Sequence, residues 1–228
     1  DPRFFEEHKQ WVAANKLPVD VVEGVVGIIP QIGFLYQEAY RRGTWCFRTD
    51  DDLGVGHYLV KDKDKTIAEL DTVIDICVEA AFNLSVGLIG LSGDNRFYMD
   101  DDIHKYGNAN GVLLGPTQLF RNSQDPCKEK LVDLRIWGME DIYRTIAHTI
   151  VDGGVGRLKG IGMDWKNATK NPVEKSPSSE RMLNNFDIIE KNFTGRVTLD
   201  RKGWNGDSVH PHLRWKILKK PSKATFTL

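Results

Sequence analysis

Arg196-Val197-Thr198-Leu199-Asp200 and His212-Leu213-Arg214-Trp215-Lys216-Ile217-Leu218 alternate polar and apolar side chains on either side of Asn205-Gly206-Asp207. A period of two suits a strand with one buried face, and Asn-Gly-Asp is turn chemistry, so the two runs read as a long hairpin. Residues 44–49 and 56–61 form a second pair of β-type runs, joined by an Asp/Gly loop. Val132, Leu134 and Ile136, alternating with Asp133, Arg135 and Trp137, predict a further strand. Strands that follow one another without an intervening helix favour antiparallel pairing.

Helical spacing fills the intervals. Leu70, Val73, Ile74, Cys77, Val78, Ala81 and Phe82 share one face, with Glu69, Thr72, Asp75 and Glu79 opposite, and Thr66-Ile67-Ala68-Glu69 reads as a capping box opening that helix. A second amphipathic helix carries Met139, Ile142, Tyr143, Ile146, Ala147, Ile150 and Val151, and Gly153-Gly154 stops it. A third, after Ser178-Ser179, carries Met182, Leu183, Phe186 and Ile189. Residues 4–14 and 19–42 are predicted helical too, the latter with a break or kink near Pro30. The expected class is α+β: a largely antiparallel sheet packed against several amphipathic helices, with a C-terminal β-hairpin. Residues 100–130, lacking periodicity, read as a long loop or connection, and 166–178 as a second.

With 228 residues, 40% of them hydrophobic, the chain can bury a real core, and we read 1–228 as a single domain with a soft division near 100–130. The longest apolar stretches, 19–40 and 67–91, are interrupted by charges, so no integral membrane protein is expected. The chain opens on Asp1, which fits a processed exported protein and a trimmed domain equally well. Cys46, Cys77 and Cys127 allow one internal disulfide with a thiol left over for a disulfide-linked partner, although Cys77 sits on an apolar helix face as core filler. Asn83, Asn167 and Asn192 open glycosylation sequons, of which only the second lies in an evident loop.

Charge is unevenly spread. Residues 1–114 hold 11 Lys+Arg against 19 Asp+Glu, a net of −8, and residues 115–228 hold 20 against 13, a net of +7. The positive excess peaks in residues 191–223, where nine Lys/Arg meet two acids, Asp200 and Asp207. On a hairpin, Arg196, Lys202, Arg214, Lys216, Lys219 and Lys220 suit phosphates or anionic lipid head groups, with Trp204 stacking on bases or sitting at an interface. The competing expectation makes Trp215 core beside Leu213 and Ile217, with the lysines as an ordinary solvated face.

Other motifs carry less. Tyr98-Met99-Asp100-Asp101 spells the metal-binding turn of reverse transcriptases, but Gly93-Asp94-Asn95-Arg96 before it is not the apolar strand that chemistry needs. Phe47-Arg48-Thr49-Asp50 resembles the strand-borne arginine of toxin-type ADP-ribosyltransferases, but no Glu-x-Glu or Gln-x-Glu occurs, so Arg48 is expected to pair with Asp50, Asp51 and Asp52. Those acids and Asp100-Asp101-Asp102 lack the spacing of a calcium loop. Residues 153–160, Gly-Gly-Val-Gly-Arg-Leu-Lys-Gly, follow a helix, and so satisfy neither a P-loop nor a dinucleotide fingerprint; they read as a helix cap and turn.

His210-Pro211-His212, with Asp207 upstream, presents two imidazoles and a carboxylate suited to acid–base work on a phosphate ester, or to zinc if His57 or His104 joins them. The leading expectation is an exported, toxin- or effector-like protein that engages an anionic surface of lipid head groups or nucleic acid, or an acidic protein, through its basic C-terminal region. A phosphodiesterase or nuclease built on His210, His212 and Asp207 is the enzyme alternative. An assembly module that associates with itself through its unlike charges is the third. No cofactor or metal is specified by any of these patterns.

Overall fold

A computed structural model of the chain describes residues 4–49, 58–60, 63–67, 69–92, 102–109, 112–113, 117–121, 125, 130–136, 138–163, 179–200 and 214–217. Among the described residues five helices are formed, by Phe5–Ala14 (α1), Ile28–Arg42 (α2), Leu70–Leu84 (α3), Glu140–Val151 (α4) and Ser179–Asn192 (α5). The strands are Trp45–Arg48 (β1), Tyr58–Val60 (β2), Lys63–Ile67 (β3), Leu88–Ser92 (β4), Tyr106–Asn108 (β5), Gln118–Arg121 (β6), Gly156–Met163 (β7), Val197–Asp200 (β8) and Arg214–Ile217 (β9). The class is α+β, as the patterning predicts.

The main sheet runs β1-β6-β4-β7-β2-β3, with β5 paired to β7 as well. Its pairings are antiparallel except for β4 with β7, which makes the sheet mixed. Strands from both sides of residue 115 alternate across it, since β6 lies between β1 and β4 and β7 lies between β4 and β2. The division of charge along the chain is therefore not a division of the sheet. β8 and β9 pair with each other in a separate two-stranded sheet, with Val197 opposite Ile217 and Asp200 opposite Arg214.

Helices cover both faces of the main sheet. Alternation along β4 and β6 sends Leu88 and Phe120 into one core with α2, α4 and α5, and Ile89, Leu91 and Leu119 into another with α3. On α3 the buried positions are Val73, Ile76, Cys77, Ala80 and Ala81, spaced as one helical stripe. On α4 the apolar stripe of Tyr143, Ile146, Ala147 and Ile150 is flanked by the buried polar residues Arg144, Thr145 and His148.

Several expectations are corrected. Thr66 is not a cap: it lies in β3 opposite Leu59, and α3 starts at Leu70 behind Glu69, which makes no side-chain capping bond. The predicted 19–42 helix begins only at Ile28, and Pro30 sits in its first turn, where a missing N–H costs nothing and no kink is needed. The alternating 132–136 run is a turn, because the Asp133 carboxylate accepts from its own neighbour's backbone, Arg135 N at 3.0 Å, and Ile136 N bonds Asp133 O.

Of the glycine-rich 153–160 stretch, expected to be a helix cap and turn, residues 156–160 instead open the central strand β7, and the 100–130 segment, expected to be a loop, supplies β5 and β6. Glycine is required at 160 because the 102–105 segment crosses directly over it. A Cβ there would overlap the Asp102 carbonyl, and the amides of Lys159 and Gly160 both bond Lys105 O.

Candidate functional site

The basic C-terminal hairpin enters the structure through its first strand. Val197 is buried beside Phe193 in the core of α4 and α5, which anchors β8. Arg196, expected to contact anions, gives one of its donors to Ile150 O at 2.8 Å, a carbonyl in the last turn of α4, where a cation complements the helix dipole. Arg214 and Lys216 occupy β9, opposite Asp200 and Thr198 in register. Lys202, Trp204, Lys219 and Lys220 lie outside the described residues, as do Asp207, His210, His212 and His57.

His104 is exposed, with Nδ1 3.9 Å from Glu79 Oε2. Among the described residues no group of three His, Cys, Asp or Glu side chains is placed to hold a metal ion. Of the acidic triplets, only Asp102 falls within the described residues, where it accepts from His104 N at 2.9 Å.

The polar chemistry that the structure does bring together lies in the interior, around α4. Arg48, at the end of β1 and 9% exposed, reaches Asp141 Oδ1 on α4 at 3.9 Å, while its expected partners Asp50, Asp51 and Asp52 lie outside the described residues. Arg144, 1% exposed, donates to the same Asp141 oxygen through Nη2 and to Glu140 O through Nε at 3.3 Å. Gln118 Nε2 donates to Leu113 O at 3.0 Å and Asp141 at 3.5 Å. Thr145 Oγ1 accepts from Leu113 N at 3.1 Å and donates to Asp141 O at 2.8 Å. Two guanidinium groups share one carboxylate here, so the end of β1 is tied to the first turns of α4 by an ion pair and the start of β6 by a hydrogen bond.

One turn further along α4, His148 stands between two partners. Its Nε2 lies 2.8 Å from Tyr36 Oη on α2, and its Nδ1 lies 2.6 Å from Asp152 Oδ2 at the end of its own helix. Burial pushes the Tyr36 pKa well above its ordinary value, so its hydroxyl keeps its proton. The 2.6 Å contact with the Asp152 carboxylate, which only accepts, directs an Nδ1 proton at Asp152. Tyr36 and His148 are both 0% exposed, so the relay has no surface at which to meet a substrate; it locks α2 to α4. Gly87 admits the pair, because a Cβ there would overlap Asp152 and crowd His148.

These residues escape sequence reasoning because they stand beside an apolar stripe that reads as plain core. Their one legible trace is the i,i+4 spacing of His148 and Asp152, and of Glu140 and Arg144, around that stripe.

The thiols are buried chemistry as well. Cys46 is half-buried and Cys77 fully buried, both free, and burial pushes them up to about 11 and about 12. Neither is poised as a nucleophile. Two sequon asparagines are engaged: Asn83 Nδ2 lies 2.5 Å from Tyr106 Oη, and Asn192 Nδ2 donates to Asp133 Oδ2 at 2.8 Å and Tyr143 Oη at 3.0 Å.

An apolar groove of about 360 Å³ opens between α2 and the 132–134 turn, lined by Val25, Pro30, Gly33, Phe34, Val132 and Leu134 with Gln37 as its polar member. Among the described residues its lining carries no acid or base. Among the described residues no helix is long and apolar enough to cross a membrane. The fold and its interior thus define an α+β protein with a charged, hydrogen-bonded core. No protein-family model, no curated protein and no solved structure matches the chain.

Proposed function

We propose that this protein engages an anionic target surface through its basic C-terminal region, as an exported, effector-like protein. The observation that carries the reading is the concentration of nine Lys/Arg against two acids in residues 191–223. Support comes from the pairing of β8 with β9, which carries Arg214 and Lys216, in a two-stranded sheet separate from the main one. A local excess of this size attracts phosphate-bearing surfaces and releases their counterions.

The test is co-sedimentation of the full chain with phosphatidylserine vesicles, neutral vesicles and single-stranded DNA at about 0.05 and about 0.3 M salt. Binding to an anionic surface that collapses at the higher salt supports the reading. A triple reversal of Lys216, Lys219 and Lys220 to Glu should weaken vesicle binding by at least about two orders of magnitude, at about 1 kcal/mol per lysine. Salt-independent binding, or none, overturns it. Export is checked separately, by recovery of the chain from the medium of cells that make it.

A further inference from the structure

Residues 4–28 form an arm in which no side chain is buried, and this includes the whole of α1. The arm nevertheless carries large apolar groups in solvent: Phe4 at the start of α1, Trp11 on it, then Leu17, Val19, Val22 and Val26 along the segment that follows. An isolated helix of 10 residues is marginal in water, and an apolar set of this extent marks a contact surface. Phe4, His8 and Trp11 recur at i, i+4 and i+7, the spacing with which a helix presents anchors to a groove. The Phe4 and His8 rings meet edge to face, with centroids 6.5 Å apart.

The chain also holds a receptor for such anchors. The groove between α2 and the 132–134 turn has room for one large aromatic side chain in its volume of about 360 Å³, and Pro30, Phe34, Val132 and Leu134 make it apolar. Its own α1 does not line it. The arm leaves the body right beside this groove, because Val25 lines it and Val25 N donates to Gln31 Oε1 at 2.9 Å. The six exposed side chains of the arm present roughly 600 Å² per copy, taking about 150–250 Å² for a whole aromatic and somewhat less for an aliphatic. Two arms therefore bring about 1,200 Å² before the grooves that receive them are counted, which reaches the size of stable interfaces.

We propose that the partner is a second copy of this chain: two copies exchange arms about a two-fold axis, and α1 of each lays Trp11 into the groove of the other. Groove and arm root adjoin on each copy, so a single two-fold operation makes both contacts and closes the assembly at a dimer.

The test is sedimentation velocity of the full chain in reductant from about 1 to about 100 μM, beside Trp11→Ala and Leu134→Asp. Trp11 and Leu134 are 59% and 64% exposed, so both variants keep the fold, which circular dichroism checks. The parent should be a dimer, and each variant should raise its dissociation constant at least about thirtyfold, as loss of a central anchor does. Mixing the two variants should restore part of the association, because the intact arm of the Leu134→Asp chain meets the intact groove of the Trp11→Ala chain. A parent that stays monomeric, a dimer that both variants leave intact, or a mixture that associates no better than its components would each overturn the proposal.

Discussion

Tyr36 Oη and His148 Nε2 lie 2.8 Å apart across 112 residues of sequence, and this one bond joins α2 to α4 inside the core. The phenol ring is held independently, stacked on Phe120 with centroids 4.1 Å apart and planes 7° from parallel. Tyr36→Phe therefore keeps the stacking and deletes only the hydroxyl, leaving the buried Nε2 without that partner. The expected loss is about 1–3 kcal/mol in denaturant unfolding, the cost of an orphaned buried polar atom. A midpoint equal to that of the parent would mean that His148 finds another partner.

Gly160 predicts a loss of different origin. An added Cβ meets backbone, the Asp102 carbonyl and Ile103 Cα, which no rotamer change can move aside. Gly160→Ala should destabilise by about 3 kcal/mol, at the upper end of overpacking costs. Gly33 is the control, because there the nearest atom is Leu134 Cδ2 at 3.1 Å, the end of an exposed side chain that can swing away. Thermal unfolding should show Gly33→Ala close to the parent and Gly160→Ala far below it.

Acid titration should expose the turn that replaces the predicted 132–136 strand. Arg135 is the main reason the Asp133 carboxyl is held down at about 2, with the Asn192 amide and the Arg135 backbone N–H assisting. A carboxyl depressed in the folded state contributes stability above the ordinary carboxylate value of about 4, and that stability disappears as pH falls through about 2. Arg135 is 58% exposed, so solvent screening limits the effect to at most about 1 kcal/mol. Asp133→Asn should flatten the stability profile between about pH 4 and pH 2. Equal slopes in the two proteins would remove the pair from any account of acid stability.

Why this turn, and not a strand, forms at Asp133 is also why parts of the fold are legible in the sequence and parts are not. The helices α3, α4 and α5 show because their buried residues repeat at helical spacing, and that pattern does not depend on what packs against it. β7 does not show. Its glycines answer to neighbours that are distant in sequence, with Gly160 under Asp102 and Gly156 against Ile89 and Leu84. The alternation at Val132, Leu134 and Ile136 looks like a strand, but the Asp133 side chain closes a local turn and Leu134 is left 64% exposed. The polar interior is hidden for a similar reason: Tyr36, Arg48 and Gln118 find their partners on α4 only after the sheet and helices have assembled.

Alkaline unfolding tests the buried thiols. Burial is the cause at both: it raises Cys77 to about 12, and it raises Cys46 to about 11 with Arg48 pulling slightly the other way. An acid whose pKa is raised on folding keeps a proton that the unfolded chain releases near pH 8.5, so above that point the unfolded state binds fewer protons and stability falls as pH rises. Each thiol can contribute a slope of up to about 1.4 kcal/mol per pH unit between about 9 and its folded value. Cys77→Ala should start somewhat less stable at pH 7, because a small cavity replaces the sulfur, and should then lose stability more slowly between pH 9 and about 10.5. Thiol labelling at pH 9 provides the kinetic counterpart: Cys77 should react only as fast as the protein opens, so that denaturant accelerates it in step with unfolding. Rapid labelling in the native protein would place the sulfur at the surface and remove the basis for the alkaline slope.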